Sequence, residues 1–117
     1  MSGSERYPPD ARLARASDIR RCLDAGRRHR TEHLDMIWMD NAFGRPRLGL
    51  IVPKAKRTAP ERNRLRRRLR EVWRRELQPR LPAWDLVIRA RLSAYDQPFD
   101  ALRAALLGFA DARAPRA

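Results

Sequence analysis

The chain has 117 residues, which is enough for one compact domain and too few for two domains with separate cores. Together, Lys and Arg number 27 against 14 Asp and Glu, so the formal net charge is +13, which favours a polyanion such as RNA or DNA as the partner. No run of about 18 apolar residues is present to span a membrane, and the first residues lack the apolar core of a signal peptide. The single cysteine, Cys22, excludes an internal disulfide and fits a reducing compartment, so we expect a cytoplasmic protein.

Residues 1–11 are polar, contain two adjacent prolines and are predicted to form a flexible tail. The folded domain is predicted over residues 12–111, and residues 112–117 are expected to fray. Within the domain, Ser17 suits an N-cap and Gly26 suits a stop, which predicts a short helix over residues 18–25. Three arginines follow this helix and form a basic patch: Arg27, Arg28 and Arg30.

Two strands are predicted next. Residues 33–40 alternate, with Leu34, Met36 and Trp38 on one face of a strand and Asp35, Ile37 and Met39 on the other. Residues 41–46 contain glycine and proline and are predicted to form a hairpin loop. The run LGLIV, residues 48–52, is predicted to be a well-buried strand.

Residues 58–77 form the most strongly patterned stretch of the chain. Thr58 and Glu61 have the spacing of a capping box, and Pro79 ends the helix that follows. Four apolar residues share one face of this helix: Leu65, Leu69, Val72 and Trp73. Eight arginines occupy the rest of it with three glutamates, so many like charges repel one another at i,i+4 spacing. We interpret this arrangement as an RNA or DNA contact and not as an ordinary solvated basic face.

The remaining elements are a strand and a helix. Residues 85–90 are predicted to form a strand, and because this strand follows a helix that follows a strand, a βαβ-like crossover is expected. Residues 98–111 have the apolar period of an amphipathic helix. The order of elements predicts an α+β sandwich in which helices pack on a small sheet.

The sequence does not predict an active site within the protein. His29 and His33 are four residues apart, but the glycine and the strand pattern argue against a shared helical turn, so they are a poor metal pair. Asp35 and Asp40 fall on opposite faces of their strand, which does not suit acid–base or two-metal chemistry. Cys22 shares an apolar helix face and is predicted to be a core residue. The three tryptophans, Trp38, Trp73 and Trp84, are also predicted to lie in the core rather than to stack on a ligand.

A specific motif runs through residues 48–74, LGLIVPKAKRTAPERNRLRRRLREVWR. An apolar strand ends in Lys54, a short connector follows, and the helix begins with a dense pattern: Arg62, Asn63, Arg64, Arg66, Arg67, Arg70 and Glu71. This arrangement resembles the protein subunit of bacterial ribonuclease P, whose helix carries R-N-R-x-[KR]-R-x-x-R-E. The flanking segments SDIRRCLDAGR and LPAWDLVIRAR are similar to the family as well, so the resemblance covers residues 12–110.

The resemblance implies a fold, a function and a set of contacts. The fold is a small α/β sandwich with a mixed sheet of three to four strands and the basic helix in a left-handed βαβ crossover. The function is to assist a catalytic RNA that removes the 5′ leader from precursor tRNA, with Mg2+ bound mainly by the RNA and no cofactor or metal bound by the protein. The protein alone is expected to be a monomer.

The resemblance also implies two sets of site residues. The catalytic RNA is expected to contact Arg62, Asn63, Arg64, Arg66, Arg67, Arg70 and Arg74. The 5′ leader is expected to lie in a cleft between the sheet and the first helix, lined by Ile19, Leu23, Ile37, Lys54, Lys56 and Arg91.

The sequence departs from the family pattern in two places. The cleft positions that are often aromatic in the family are Ile19, Leu23 and Ile37 here, which leaves apolar contact without base stacking. Residues 57–60 replace the common G-N-A-V of the connector, and Thr58 is expected to cap the helix instead. Two other classes of protein are weighed beside this one: a ribosomal-type structural RNA-binding protein with no role in cleavage, and a stand-alone nuclease that cleaves with a divalent metal.

Overall fold

A mixed β-sheet with helices on both faces forms the molecule. The computed structural model describes residues 12–13 and 15–115. The elements in this part of the chain are α1 (Ala16–Ala25), β1 (Arg27–Arg30), β2 (Leu34–Asp40), β3 (Arg47–Ile51), α2 (Ala59–Val72), a π-helical turn (Trp73–Leu77), β4 (Trp84–Ala90), a 3₁₀ helix (Leu92–Asp96) and α3 (Phe99–Arg113). The predicted tail, residues 1–11, lies outside the described residues. None of the described helices is long and apolar enough to cross a membrane.

The four strands lie in the order β1-β2-β4-β3. Strand β2 is antiparallel to both β1 and β4, whereas β3 is parallel to β4. The segment β3–α2–β4 therefore connects parallel neighbours, which confirms the predicted βαβ-like crossover and the α+β class.

The hairpin predicted at residues 41–46 is wrong. The chain does reverse there, with Gly44 at a φ of +76°, but β4 lies between β2 and β3. Turn-forming residues predict a change of direction and carry no information about which strand becomes the neighbour. The adjacency is decided by the later strand β4, which has apolar residues on both faces and occupies the centre of the sheet.

Strand β1 was not predicted. Its sequence, Arg-Arg-His-Arg, has no apolar alternation because it is an edge strand whose side chains are mostly exposed. It forms through backbone pairing with β2, in the register Arg28 opposite Ile37 and Arg30 opposite Asp35. The predicted basic patch is thus the outer edge of the sheet.

Two cores lie on the two faces of the sheet. The larger one joins the sheet to α2 and α3 and contains Leu34, Met36 and Trp38 of β2. The smaller one lies under α1 and contains Leu13, Cys22, Ile37 and Val87. The predicted alternation of β2 is therefore confirmed, and the three tryptophans are buried as expected.

The end of α1 passes very close to the sheet at Gly26. A Cβ at this position would lie 2.5 Å from the carbonyl oxygen of Cys22 and 2.8 Å from that of Trp38. Only glycine allows this approach, so Gly26 both ends the helix, as predicted, and permits the direct entry into β1.

The basic helix was predicted as one α-helix over residues 58–77, but its last part has a wider turn. The α-helix ends at Val72, and the N–H of Gln78 donates to the carbonyl of Trp73, five residues back, at 2.8 Å. Both Trp73 and Leu77 are buried. Residues four apart lie on the same side of an ordinary α-helix as well, so the burial of these two side chains does not by itself require the wider turn.

Candidate nucleic-acid interface

The start of α2 is built by its capping residues. Thr58 accepts a hydrogen bond from the Glu61 N–H at 3.3 Å, and Glu61 accepts one from the Thr58 N–H at 2.9 Å, so the predicted capping box is confirmed. These bonds, first from the Thr58 backbone and then from its hydroxyl, lower the pKa of the Glu61 carboxyl. The first turn of the helix is thereby held in place directly before Arg62.

The apolar stripe of α2 determines which way the arginines point. Leu65, Leu69 and Val72 are buried in the larger core, and they hold one side of the helix against the sheet and α3. The opposite side presents the residues predicted to bind RNA, which are exposed or half-buried and are called the arginine face below: Arg62, Asn63, Arg64, Arg66, Arg67, Arg70 and Arg74.

The members of the arginine face differ in how far the protein itself holds them. Arg62 donates to the Arg57 carbonyl, Arg66 donates to the Asn63 side chain at 3.4 Å, and Arg74 contacts both oxygens of Glu71 at 3.1 and 3.2 Å. In contrast, three guanidinium groups have no hydrogen-bond or ion-pair partner among the described residues: those of Arg64, Arg67 and Arg70. A guanidinium without an internal partner keeps all its donors for a phosphate.

Asn63 has a visible structural role. Its side-chain oxygen accepts from Arg66, one turn later, and its own exposure leaves the amide N–H groups available. The residue therefore orients a neighbouring arginine while it remains able to contact a ligand.

The second predicted set of residues lies beside α1. Ile19 and Leu23 are half-buried on the small core, together with Met39 and Ile51. Ile37, which was predicted to line the cleft, is completely buried under α1. Ile37 therefore forms part of the floor of this cleft but is not accessible to a ligand. The accessible apolar surface of the cleft comes from Ile19, Leu23 and their neighbours.

The predicted cations of the cleft stand at one end of the sheet. Because β3 and β4 are parallel, Lys54 and Arg91 both follow the carboxyl ends of their strands and lie at the same edge. Lys54 and Lys56 are exposed on a tight turn in which the Arg57 N–H donates to the Lys54 carbonyl at 2.6 Å. Ala55 and Lys56 have φ values of 23° and 65° in this turn, a backbone region that favours glycine or asparagine. The same turn leads into α2, so the two predicted sets are continuous along the chain.

Sequence reasoning missed the role of Asp35. Its carboxylate accepts two hydrogen bonds from Arg91, at 2.9 and 3.3 Å, and lies 3.7 Å from Arg89. Arg89 stands directly opposite Asp35 across β2 and β4. This role of Asp35 could be found only from the pairing of β2 with β4, since Asp35 and the two arginines are far apart in sequence. Asp35, considered above as a poor acid–base residue, holds two arginines at the open end of the cleft.

The cysteine and the two histidines have structural surroundings that account for their presence. Burial raises the pKa of the Cys22 thiol to about 11, with Asp85 acting in the same direction, so this cysteine is protonated at neutral pH. Nδ1 of His29 accepts from Arg113 at 3.1 Å, and Nδ1 of His33 lies 2.7 Å from the Ser93 hydroxyl. Within residues 12–13 and 15–115, no group of three or more His, Cys, Asp or Glu side chains could hold a metal ion.

A small α/β sandwich with a strongly basic, capped helix packed on one face of its sheet defines a class of compact RNA-binding proteins. The family model for ribonuclease P matches residues 7–112. The ribonuclease P protein component of Syntrophobacter fumaroxidans is 41% identical over 96 residues, which are 80% of each chain. That of Escherichia coli O139:H28 is 36% identical over 101 residues, 86% of this chain and 84% of its own.

Solved structures agree with the sequence relatives. The RNase P protein of Staphylococcus aureus superposes with a TM-score of 0.81 at 23% identity, covering 89% of this chain and 96% of its own. The RNase P protein of Thermotoga maritima gives a TM-score of 0.76 at 25% identity, covering 84% and 93%. The first of these likenesses concerns the fold alone.

This chain belongs to the ribonuclease P protein component family. It is the protein subunit of an endoribonuclease ribonucleoprotein, and the family acts in the maturation of tRNA 5′ ends. The resemblance noted in the sequence is confirmed, and nothing in the comparisons supports a ribosomal-type structural protein.

Proposed function

We propose that the arginine face of α2 binds the catalytic RNA of ribonuclease P, and that the cleft beside α1 holds the 5′ leader of precursor tRNA. The observation that carries this proposal is the set of three guanidinium groups, on Arg64, Arg67 and Arg70, without partners among the described residues. Fixed side chains of like charge on one helix repel one another, and phosphates relieve that repulsion.

The chemistry of the cut belongs to the RNA in this proposal. Mg2+, which the catalytic RNA and not this chain would hold, would supply the activation of water and the stabilisation of the leaving oxygen. The protein contributes positive charge and position: it neutralises phosphates of the RNA and fixes the leader beside the scissile bond. We further propose that residues 12–111 act as one domain, that the protein alone is a monomer and that it works in the cytoplasm.

The leader contacts divide by chemistry. Lys54, Lys56 and Arg91 offer cations for leader phosphates at the open end of the sheet. Ile19 and Leu23 offer half-buried apolar surface, against which bases can pack without aromatic stacking. Ile37 has no exposed surface of its own, so it contributes only by packing beneath these two residues.

The test is reconstitution with a bacterial ribonuclease P RNA at low Mg2+, in which the protein should promote 5′ cleavage of a precursor tRNA. The holoenzyme should bind precursor tRNA more tightly than mature tRNA. The double variant Lys54→Ala/Lys56→Ala should lower affinity for the precursor and leave affinity for mature tRNA and for the catalytic RNA nearly unchanged.

A matched pair of arginine variants tests the arginine face. Arg67→Ala should weaken binding to the catalytic RNA and lower the slope of log affinity against log salt by about 0.7–0.9. Arg80→Ala removes the same charge at a place where the arginine pairs with Asp111, and it should leave the slope unchanged. Equal binding of precursor and mature tRNA by the wild-type holoenzyme would contradict the leader cleft, and identical slopes for both variants would contradict the arginine face.

A further inference from the structure

The loop between β2 and β3 exposes an aromatic ring that neither the arginine face nor the cleft uses. Phe43 is 59% exposed, and only one other large apolar side chain in the described part of the chain, Leu92, is comparably exposed. The guanidinium carbon of Arg47 lies 3.8 Å from the centre of the Phe43 ring. One face of the ring is therefore covered by a cation, although more than half of the surface of the residue is exposed.

The loop that carries Phe43 is held by a polar network that ends on a buried carboxylate. The Phe43 N–H donates to the Asn41 side-chain oxygen at 2.9 Å, and the Asn41 amide donates to the Asp85 carboxylate at 2.9 Å and to the Arg45 carbonyl at 3.0 Å. Asp85 also accepts two hydrogen bonds from Arg47, at 2.8 and 2.9 Å, and is itself 2% exposed. The ring and the guanidinium that stacks on it are thus both fixed to the same buried carboxylate.

The position of Phe43 separates it from the leader cations and from the start of α2. Strand β3 begins at Arg47 beside the loop and runs away from it to Ile51, a rise of about 13 Å over four residue steps, before the turn that carries Lys54. A ligand group that stacks on Phe43 therefore lies at the opposite end of β3 from one that contacts Lys54.

The charge of the surroundings indicates the kind of ligand. Residues 41–46 contain no acidic residue, the carboxylates of Asp85 and Asp18 near the ring both pair with Arg47, and the chain carries a net charge of +13. A single ring among arginines offers too little apolar area for a hydrophobic protein interface. A rigid ring with a cation on its far face is suited to stack on a nucleobase.

We infer that Phe43 is a stacking platform for an unpaired base of the RNA subunit, with Arg47 supporting the ring from behind. This inference rests on the proposed function for the RNA partner. It adds a contact of a different chemical kind, since base stacking does not depend on phosphate charge. Asn41 and Asp85 are positioning residues for this contact.

The test measures affinity of the protein for a bacterial ribonuclease P RNA without tRNA, using four variants at Phe43. Phe43→Ala and Phe43→Leu should each weaken binding by about tenfold, within the range that one stacked base contributes. Phe43→Tyr and Phe43→Trp should bind within about twofold of the wild type. The slope of log affinity against log salt should stay the same in all four, because no phosphate contact is lost.

The controls distinguish the possible failures. Leu92→Ala removes the other exposed apolar side chain and should not change the affinity, and thermal unfolding should show that Phe43→Ala is folded.

If Phe43→Leu binds as tightly as the wild type, the contact is merely apolar and the inference is overturned. It is overturned also if Phe43→Ala has no effect while Arg67→Ala weakens binding, in which case the proposed function stands. If the wild-type protein does not bind the RNA, both fail. A dimer in sedimentation that Phe43→Ala dissociates would assign the ring to a second copy of the chain and would overturn the inference.

Discussion

The side chain of Asp85 connects β4 with β3, two strands that are distant from each other in the sequence. It lies in the strand motif that resembles the family, and its carboxylate binds Arg47 of β3 through two hydrogen bonds. The same bonds, together with the negative charge, raise the pKa of the Arg47 guanidinium against the opposing effect of burial. The two hydrogen bonds compensate the burial of the Arg47 guanidinium and of the Asp85 carboxyl group together.

We expect Asp85→Ala to lower the free energy of unfolding by about 3–5 kcal/mol, because it removes both hydrogen bonds of a buried guanidinium whose other carboxylate neighbour, Asp18, lies 3.9 Å away. Urea denaturation measures this directly. Asp40→Ala, which removes an exposed carboxylate from the neighbouring strand, should change stability by less than about 0.5 kcal/mol. The double variant Asp85→Leu/Arg47→Met should recover much of the loss. A cost for Asp85→Ala as small as that of Asp40→Ala would mean that the ion pair contributes little.

Single side chains also mark the limit of sequence reasoning. Leu65 and Leu69 were placed correctly because their period alone determines a buried helix face. Asp35 could not be interpreted, since its partners Arg89 and Arg91 are more than fifty residues away and meet it only through the pairing of β2 with β4. Ile37 was assigned to the correct face of its strand but not to the correct depth, because depth depends on how closely α1 covers the sheet.

Among the elements, α2 is the one most completely specified by local sequence. Its capping box and apolar stripe act within a few residues, and both are present as predicted. Its last turn was predicted as α-helix and is instead a π-helical turn, in which Trp73 and Leu77 both lie in the larger core.

We expect Thr58→Ala to destabilise the protein by about 1 kcal/mol, since it removes an N-cap hydroxyl. The pKa of the Glu61 carboxyl should rise towards its ordinary value, as the hydroxyl is one of the groups that lower it. The lowered pKa means that the carboxylate stabilises the fold above the ordinary pKa of Glu, and that this contribution is lost as the pH falls through the folded-state pKa. NMR titration of Glu61 and urea denaturation measure the two effects.

Thr58→Ser provides the control for this prediction, because serine keeps the hydroxyl and should retain both the stability and the lowered pKa. Equal pKa values for Glu61 in Thr58→Ala and Thr58→Ser would contradict the part assigned to the hydroxyl.

The charge of the whole molecule has a consequence for its stability. The net charge of +13 is contained within extents of 37 × 35 × 29 Å. The Debye length is about 30 Å at 0.01 M salt and about 8 Å at 0.15 M, so repulsion acts across the entire molecule only at low salt.

We therefore expect the urea midpoint of unfolding to rise when NaCl is increased from about 0.01 M to about 0.15 M. Salt also weakens attractive surface pairs such as Arg80 with Asp111, but exposed pairs of this kind contribute little. The variant Arg64→Gln/Arg67→Gln, which lowers the net charge, should have a smaller salt response. A midpoint that falls with salt would show that attractive pairs outweigh the repulsion.

The sequence alone was sufficient for the features that depend on neighbours along the chain. The capping box, the apolar face of α2, the alternation of β2 and the family motif each act over a few residues, where geometry follows directly from spacing. The order of the strands, the pairing of Asp35 with two arginines, the edge strand β1 and the depth of Ile37 were decided by the tertiary structure. Each of these depends on contacts between distant segments, and backbone pairing and burial arise only when those segments have come together.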